Sequence, residues 1–137
     1  MEMLPSGLPE RVNDDEDLAR FLTSSSQFNA KMVKPAAFLP NPKNGETSVF
    51  RHGSERLDLL WQIGHEHLVD ERRLHGAALF KALRVRDARL EVIAKEPPPR
   101  HANIVGWPKS TDDPELAKAG QKLKAAELAQ HATLFTR

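Results

Sequence analysis

Ser54–Asp70, SERLDLLWQIGHEHLVD, is the stretch on which the fold turns. Leu57, Leu60, Trp61, Gly64 and Leu68 recur at spacings of three and four, the pattern of one apolar helix face. Ser54 is a residue type that caps a helix start, because its hydroxyl can accept from a free backbone N–H of the first turn. Gly64 costs about 1 kcal/mol relative to alanine in a helix interior. Its presence implies a close neighbour at that point, or the end of the helix. With the face turned inward, the Arg51-His52 corner ahead of it is aimed at solvent.

Upstream, Thr47–Arg51 (TSVFR) has the β-branched and aromatic residues of a strand, and Asn41–Glu46 carries an Asn-Gly pair that marks a turn. Pro35 and Pro40 forbid a helix through Met32–Pro40, so a hairpin joining 33–39 to 47–51 is predicted. Acidic Asp14–Asp17 precede Leu18, Ala19, Phe21 and Leu22; negative charge favours a helix start, which predicts a helix over 14–24. Residues 1–13, with Pro5, Gly7 and Pro9, read as a flexible arm.

Downstream, 76–86 reads as a second helix, 89–95 as an alternating strand and 102–105 as a short strand. Pro97–Pro99 between the two strands reads as a stiff extended spacer. Asp113-Pro114-Glu115 is the clearest helix start in the chain, opening 114–131. There Leu116, Ala119, Leu123, Ala126 and Ala129 form a narrow stripe suited to close packing. The expected fold class is α+β: one compact domain over 14–137, with a small mainly antiparallel sheet of three to four strands (33–39, 47–51, 89–95, 102–105). About four helices (14–24, 54–69, 76–86, 114–131) would cover one side.

Composition narrows the function. A chain of 137 residues is long enough for one core. Its 20 Lys and Arg against 19 Asp and Glu give a net charge of +1, so nucleic acid is a possible partner but not a favoured one. The lack of cysteine excludes disulfides, a thiolate nucleophile and Cys-ligated zinc, and fits a cytoplasmic protein. No run of about 18 apolar residues is available to span a membrane. The start of the sequence has neither the basic nor the apolar region of a signal peptide.

Several groups of residues could carry chemistry. His65 and His67 would lie about 200° apart on a helix and share no face. His67, Glu71 and His75 fall at i, i+4, i+8, but the outer pair would stand about 12 Å apart by helical rise, too far for one ion. No metal site is assigned, and with no cofactor fingerprint no cofactor is expected. Phe50-Arg51-His52-Gly53-Ser54 forms a strand-to-helix junction whose free N–H groups suit an anion.

FRHGSERLDLLWQIG, over residues 50–64, resembles the first motif of the ADP-ribosyltransferase family, in which a strand ends in His-Gly before a helix. GAALFKA, residues 76–82, is faintly similar to that family's Gly-x-x-x-Phe segment. The resemblance implies that His52 contacts NAD. The chain departs from the family in having no tyrosine to stack on nicotinamide, and its glutamates Glu91 and Glu96 are only positional candidates.

Arg100, His101, Asn103, Trp107 and Lys109 stand in a segment held between prolines and Gly-Trp-Pro. Arg84 and Arg86, with Lys81 and Arg89, make a modest basic cluster. Arg100, Asn103, Trp107, Lys109, Arg84 and Arg86 are therefore candidate binding residues. Two functions compete. The leading one is a small cytoplasmic, prokaryotic, non-catalytic binding protein working as an accessory component of a larger assembly, with a protein partner or a second copy of itself. The alternative is a histidine-dependent enzyme acting on a nucleotide or RNA, ribonuclease-like or ADP-ribosyltransferase-like. That reading centres on Arg51, His52 and His101: the two histidines form an acid–base pair, and arginine and lysine stabilise the phosphorane charge.

Overall fold

The computed structural model describes residues 3–52, 57–67, 74–109 and 112–136. They form one six-stranded antiparallel sheet: β1 (Asp17–Leu22), β2 (Thr47–Arg51), β3 (Gly76–Lys81), β4 (Glu91–Ala94), β5 (His101–Val105) and β6 (Thr133–Thr136), in the order β4-β5-β2-β1-β3-β6. Three α-helices join them: α1 (Leu57–His67), α2 (Ala82–Asp87) and α3 (Pro114–Gln130). The architecture is α+β, but the sheet has six strands rather than three to four, and the described residues form three α-helices rather than about four.

The differences have common causes. The 14–24 run is the strand β1, not a helix. Leu18 and Leu22 are buried on one sheet face and Ala19 and Phe21 on the other. A central strand buried on both faces shows the same dense apolar spacing as a helix. Residues 76–81 behave likewise: Ala77, Ala78 and Phe80 are buried in β3, and only 82–87 are helical.

The 33–39 strand does not form. Pro35 opens a short 3-10 turn at Pro35–Ala37, and β2 pairs instead with β1 and β5. Nor do the three prolines make a straight spacer. The chain reverses there, Lys95 N–H donating to His101 O and His101 N–H to Pro98 O, which closes the β4–β5 hairpin.

Both faces of the sheet are covered. One core gathers Leu18, Leu22, Phe38, Val49, Phe80, Ile104 and Trp107 under α2, α3 and the 3-10 turn. The other packs Ala19, Phe21, Phe50, Leu60, Ile63 and Ala77 beneath α1, with Trp61 half-buried at its margin. Gly64 lies against the core: a Cβ there would stand 2.9 Å from Leu74 Cδ2 and 3.0 Å from Phe21 Cε1. Ser54 and Leu68 fall outside the described residues. On α3, Asp113 accepts from Leu116 N–H at 3.1 Å as the sequence predicts. The buried side of α3 is Ala125, Leu128 and Ala129, whereas Leu116 and Leu123 of the expected stripe face solvent. No described helix is long and apolar enough to cross a membrane.

Residues 3–13 lie against this body. Arg51 is fully buried and binds Glu16 through Nε and Nη2, each at 2.8 Å, and the Pro9 carbonyl through Nη1 at 2.6 Å. Arg86 joins Asp14, Glu91 and the Val12 carbonyl. Burial alone would raise the Glu91 carboxyl, but the Val92 N–H and the Arg86 guanidinium outweigh it and hold it below its ordinary value. A depressed carboxyl stabilises the fold above its unfolded value, and that contribution is lost as pH falls through the folded one. Because Glu91 is 53% exposed, Glu91→Gln should cost less than about 1 kcal/mol at neutral pH. Urea midpoints of the two proteins should then converge in strong acid.

Gly76 pins the last strand. A Cβ on it would stand 2.5 Å from the Phe135 carbonyl oxygen and 3.3 Å from Thr136 Cα, both backbone atoms. Gly76→Ala must push β6 away from β3, at a cost of about 1–3 kcal/mol. Hydrogen exchange should show lost protection along the β3–β6 ladder, and unchanged protection there would refute the clash.

Candidate functional site

The register of β2 against β5 sets the site. Phe50 pairs with His101 and Ser48 with Asn103, so all four side chains share one face of the sheet. The His101 ring reaches diagonally to Ser48, its Nε2 lying 2.7 Å from Ser48 Oγ. The other ring nitrogen, Nδ1, is 2.8 Å from the Lys95 carbonyl oxygen. A carbonyl only accepts, so Nδ1 carries a proton, and in the neutral ring Nε2 accepts from the Ser48 hydroxyl. Phe50 packs edge-on against the imidazole at 5.3 Å between centroids. Two hydrogen bonds and one ring contact thus fix its orientation.

Arg20 stands beside this pair. β1 and β2 pair through Leu18 with Arg51 and Ala19 with Phe50. At the next residue the Arg20 side chain enters: Nη1 donates to the Ser48 carbonyl at 3.0 Å and Nε to the Ala37 carbonyl at 2.8 Å. Burial lowers its pKa from the ordinary arginine value, yet a guanidinium keeps its charge in proteins. Among the described residues no carboxylate pairs with it, and its Nη2 makes no hydrogen bond to protein.

Two adjoining cavities, of about 320 and 300 Å³, share Arg20 and Ser48. Phe21, Phe50, Pro98 and His101 wall the first, and Asn41, Asn44 and Glu46 line the second. The result is a groove with an apolar end, a polar end and a cation at its waist. A larger hollow of about 550 Å³ beside α3 is open and lined by both signs of charge, including Asp87, Lys124 and Glu127. We centre the site on the groove, because there, among the described residues, a cation with no paired carboxylate, a hydroxyl and a histidine line adjoining cavities.

The residues singled out from sequence are dispersed. His101 lies in the groove, and Asn103 is buried beside it, donating to Glu46 Oε1 at 2.7 Å. Arg51 projects to the opposite face of the sheet, bound to Glu16 beneath the N-terminal segment. His52 is buried, its N–H donating to Asp17 O, and lines neither cavity. Arg100 donates to the Arg51 carbonyl at 3.2 Å. Trp107 is a core residue, 3% exposed, and presents no stacking face. Lys109 is exposed and its stem lies over Gly45. Arg84 pairs loosely with Asp87 at 3.9 Å, while Arg86 is held by Asp14 and Glu91. Gly53 and Glu71 lie outside the described residues, and no three potential metal ligands cluster among those described.

Sequence reasoning missed Arg20 and Ser48. The signal for Arg20 was available in strand register, where Leu18, Arg20 and Leu22 share a face and an arginine interrupts a buried row. Reading that run as a helix hid it. Ser48 carried no signal of its own, since only the pairing with β5 brings it to His101. Comparison of the chain with protein families, with curated proteins and with solved structures finds no match.

Proposed function

We propose that the chain is a small cytoplasmic binding protein, an accessory component of a prokaryotic assembly, which grips a carboxylate of an extended protein partner in the Arg20 groove. One observation carries this reading: a half-buried guanidinium, held by two backbone carbonyls and without a counter-ion among the described residues, sits where the two cavities meet. Fixed in this way, Arg20 loses little side-chain freedom on binding, and its Nη2 is available to an anion. The aromatic wall of Phe21 and Phe50 suits an apolar group next to that carboxylate. Of the histidine-dependent alternative, only His101 lies in the groove, and its partner there is Ser48 rather than His52.

The test is a titration of the protein with N-acetylphenylalanine, a carboxylate beside an aromatic ring, followed by NMR. The backbone signals of Ser48 and His101 and the Arg20 side chain should shift, with a Kd on the order of 1 mM for so small a ligand. A hydrogen bond to a charged group contributes about 1.5–3 kcal/mol, so Arg20→Met should weaken binding at least tenfold, by that estimate. Shifts that survive Arg20→Met, or no shifts at millimolar probe, would sink the reading.

A further inference from the structure

The same groove holds an arrangement that carboxylate recognition does not use. Ser48 is exposed, its hydroxyl lies 2.7 Å from His101 Nε2, and the tautomer that makes Nε2 the acceptor is set by the Lys95 carbonyl. We propose that Ser48 is a nucleophile activated by His101, and that the groove is an acyl-transfer site for small carboxylic esters with an apolar acyl group. The proposal uses the groove described above but does not depend on that groove's recognition of a partner carboxylate.

The chemistry closes with water as the only co-reactant. Ser48 Oγ bonds the ester carbonyl carbon as its proton passes to His101 Nε2. Collapse of the tetrahedral adduct breaks the carbon–oxygen bond to the alcohol, which leaves with the proton from Nε2. The acyl group remains on Ser48. A water then gives its proton to Nε2 as its oxygen bonds the acyl carbon, and Ser48 departs by taking that proton back. The products are one alcohol and one carboxylic acid. Arg20 lines the same cavity as Ser48 and His101, so its positive charge favours negative charge developing there.

Two features decide the character of the site. The ring is already oriented by Lys95 and Phe50, so no rearrangement is needed to bring base and hydroxyl together. The third group, however, is a neutral carbonyl rather than a carboxylate. It fixes the tautomer without a full charge to steady the imidazolium that forms in both steps, so turnover of ordinary esters is slow and reagents with good leaving groups are needed to trap Ser48. A covalent adduct is therefore the first thing to look for.

The experiment treats the full chain with p-nitrophenyl acetate and with a fluorophosphonate, then maps adducts by peptide mass spectrometry. One adduct should appear on the peptide carrying Ser48, be absent in Ser48→Ala, and form about 100-fold more slowly in His101→Gln. An adduct spread over lysines with Ser48 unmodified overturns the proposal, as does equal labelling of His101→Gln. The wild-type arm needs no variant to fold, thermal melts of both variants report whether the fold is intact, and N-acetylphenylalanine binding is read on the wild-type chain alone. Binding without Ser48 labelling defeats this inference and leaves the binding function standing. Labelling without binding does the reverse.

Discussion

Glu16→Ala is expected to cost about 3 kcal/mol, a large share of the stability of a domain this size. Arg51 is fully buried at the end of β2, and Glu16 answers its Nε and Nη2 with both carboxylate oxygens. The pair is bidentate, and Glu16 also accepts from Asn13 N–H at 2.8 Å. Removing the carboxylate leaves a guanidinium in the interior with only the Pro9 and Arg11 carbonyls, at 2.6 and 3.4 Å. Such an uncompensated charge is costly, whereas the intact pair is of little net benefit over an apolar one. The double variant Glu16→Leu with Arg51→Met should therefore be more stable than Glu16→Ala alone. Urea denaturation of all three decides it. A loss under 1 kcal/mol, by the same estimate, would mean that water reaches Arg51.

Phe38→Ala should cost about 3–5 kcal/mol, the usual range for an aromatic deleted from a closed core. Phe38 has no exposed surface and meets Phe80 edge-on at 5.2 Å between centroids. It follows the 3-10 turn, and its carbonyl accepts from the buried Thr47 hydroxyl at 2.8 Å. The side chain thus anchors the 35–47 connection under α3, and its loss leaves a cavity in the buried core. Trp61→Ala, in a half-buried position, should cost clearly less. Thermal melts of the two variants side by side test the ranking, and a larger loss for Trp61→Ala would reverse the assignment of the main core.

That ranking also shows what the sequence disclosed. The amphipathic pattern of Leu60, Trp61 and Gly64 and the capping signal of Asp113 were legible, because helix periodicity and end chemistry are local properties. The strands β4 and β5 were legible from alternation and a short apolar run. β1 and β3 were not, since burial on both faces erases the alternation that marks a strand. β6, a four-residue TLFT after a long helix, has too little pattern to be seen without its partner β3. Of the candidate site, His101 and Asn103 were legible as polar residues in a constrained segment. Arg20 was hidden by reading 14–24 as a helix, and Ser48 depended on which strands lie side by side, which is fixed by non-local pairing.

Only β4 and β5 form a hairpin between successive strands without a helix or a long connection between them. Leu22 must find Gly76, Thr47 must find Ile104, and Gly76 must find Thr136 before the sheet is complete. During synthesis, β3 leaves the ribosome well before Thr133–Thr136 and must wait with one edge unpaired. That edge carries Ala77, Ala78, Leu79 and Phe80 in unbroken sequence, the kind of template to which another nascent copy can bind. Yield in a cell should therefore be governed by how long the β3 edge stays open, more than by the stability of the finished fold.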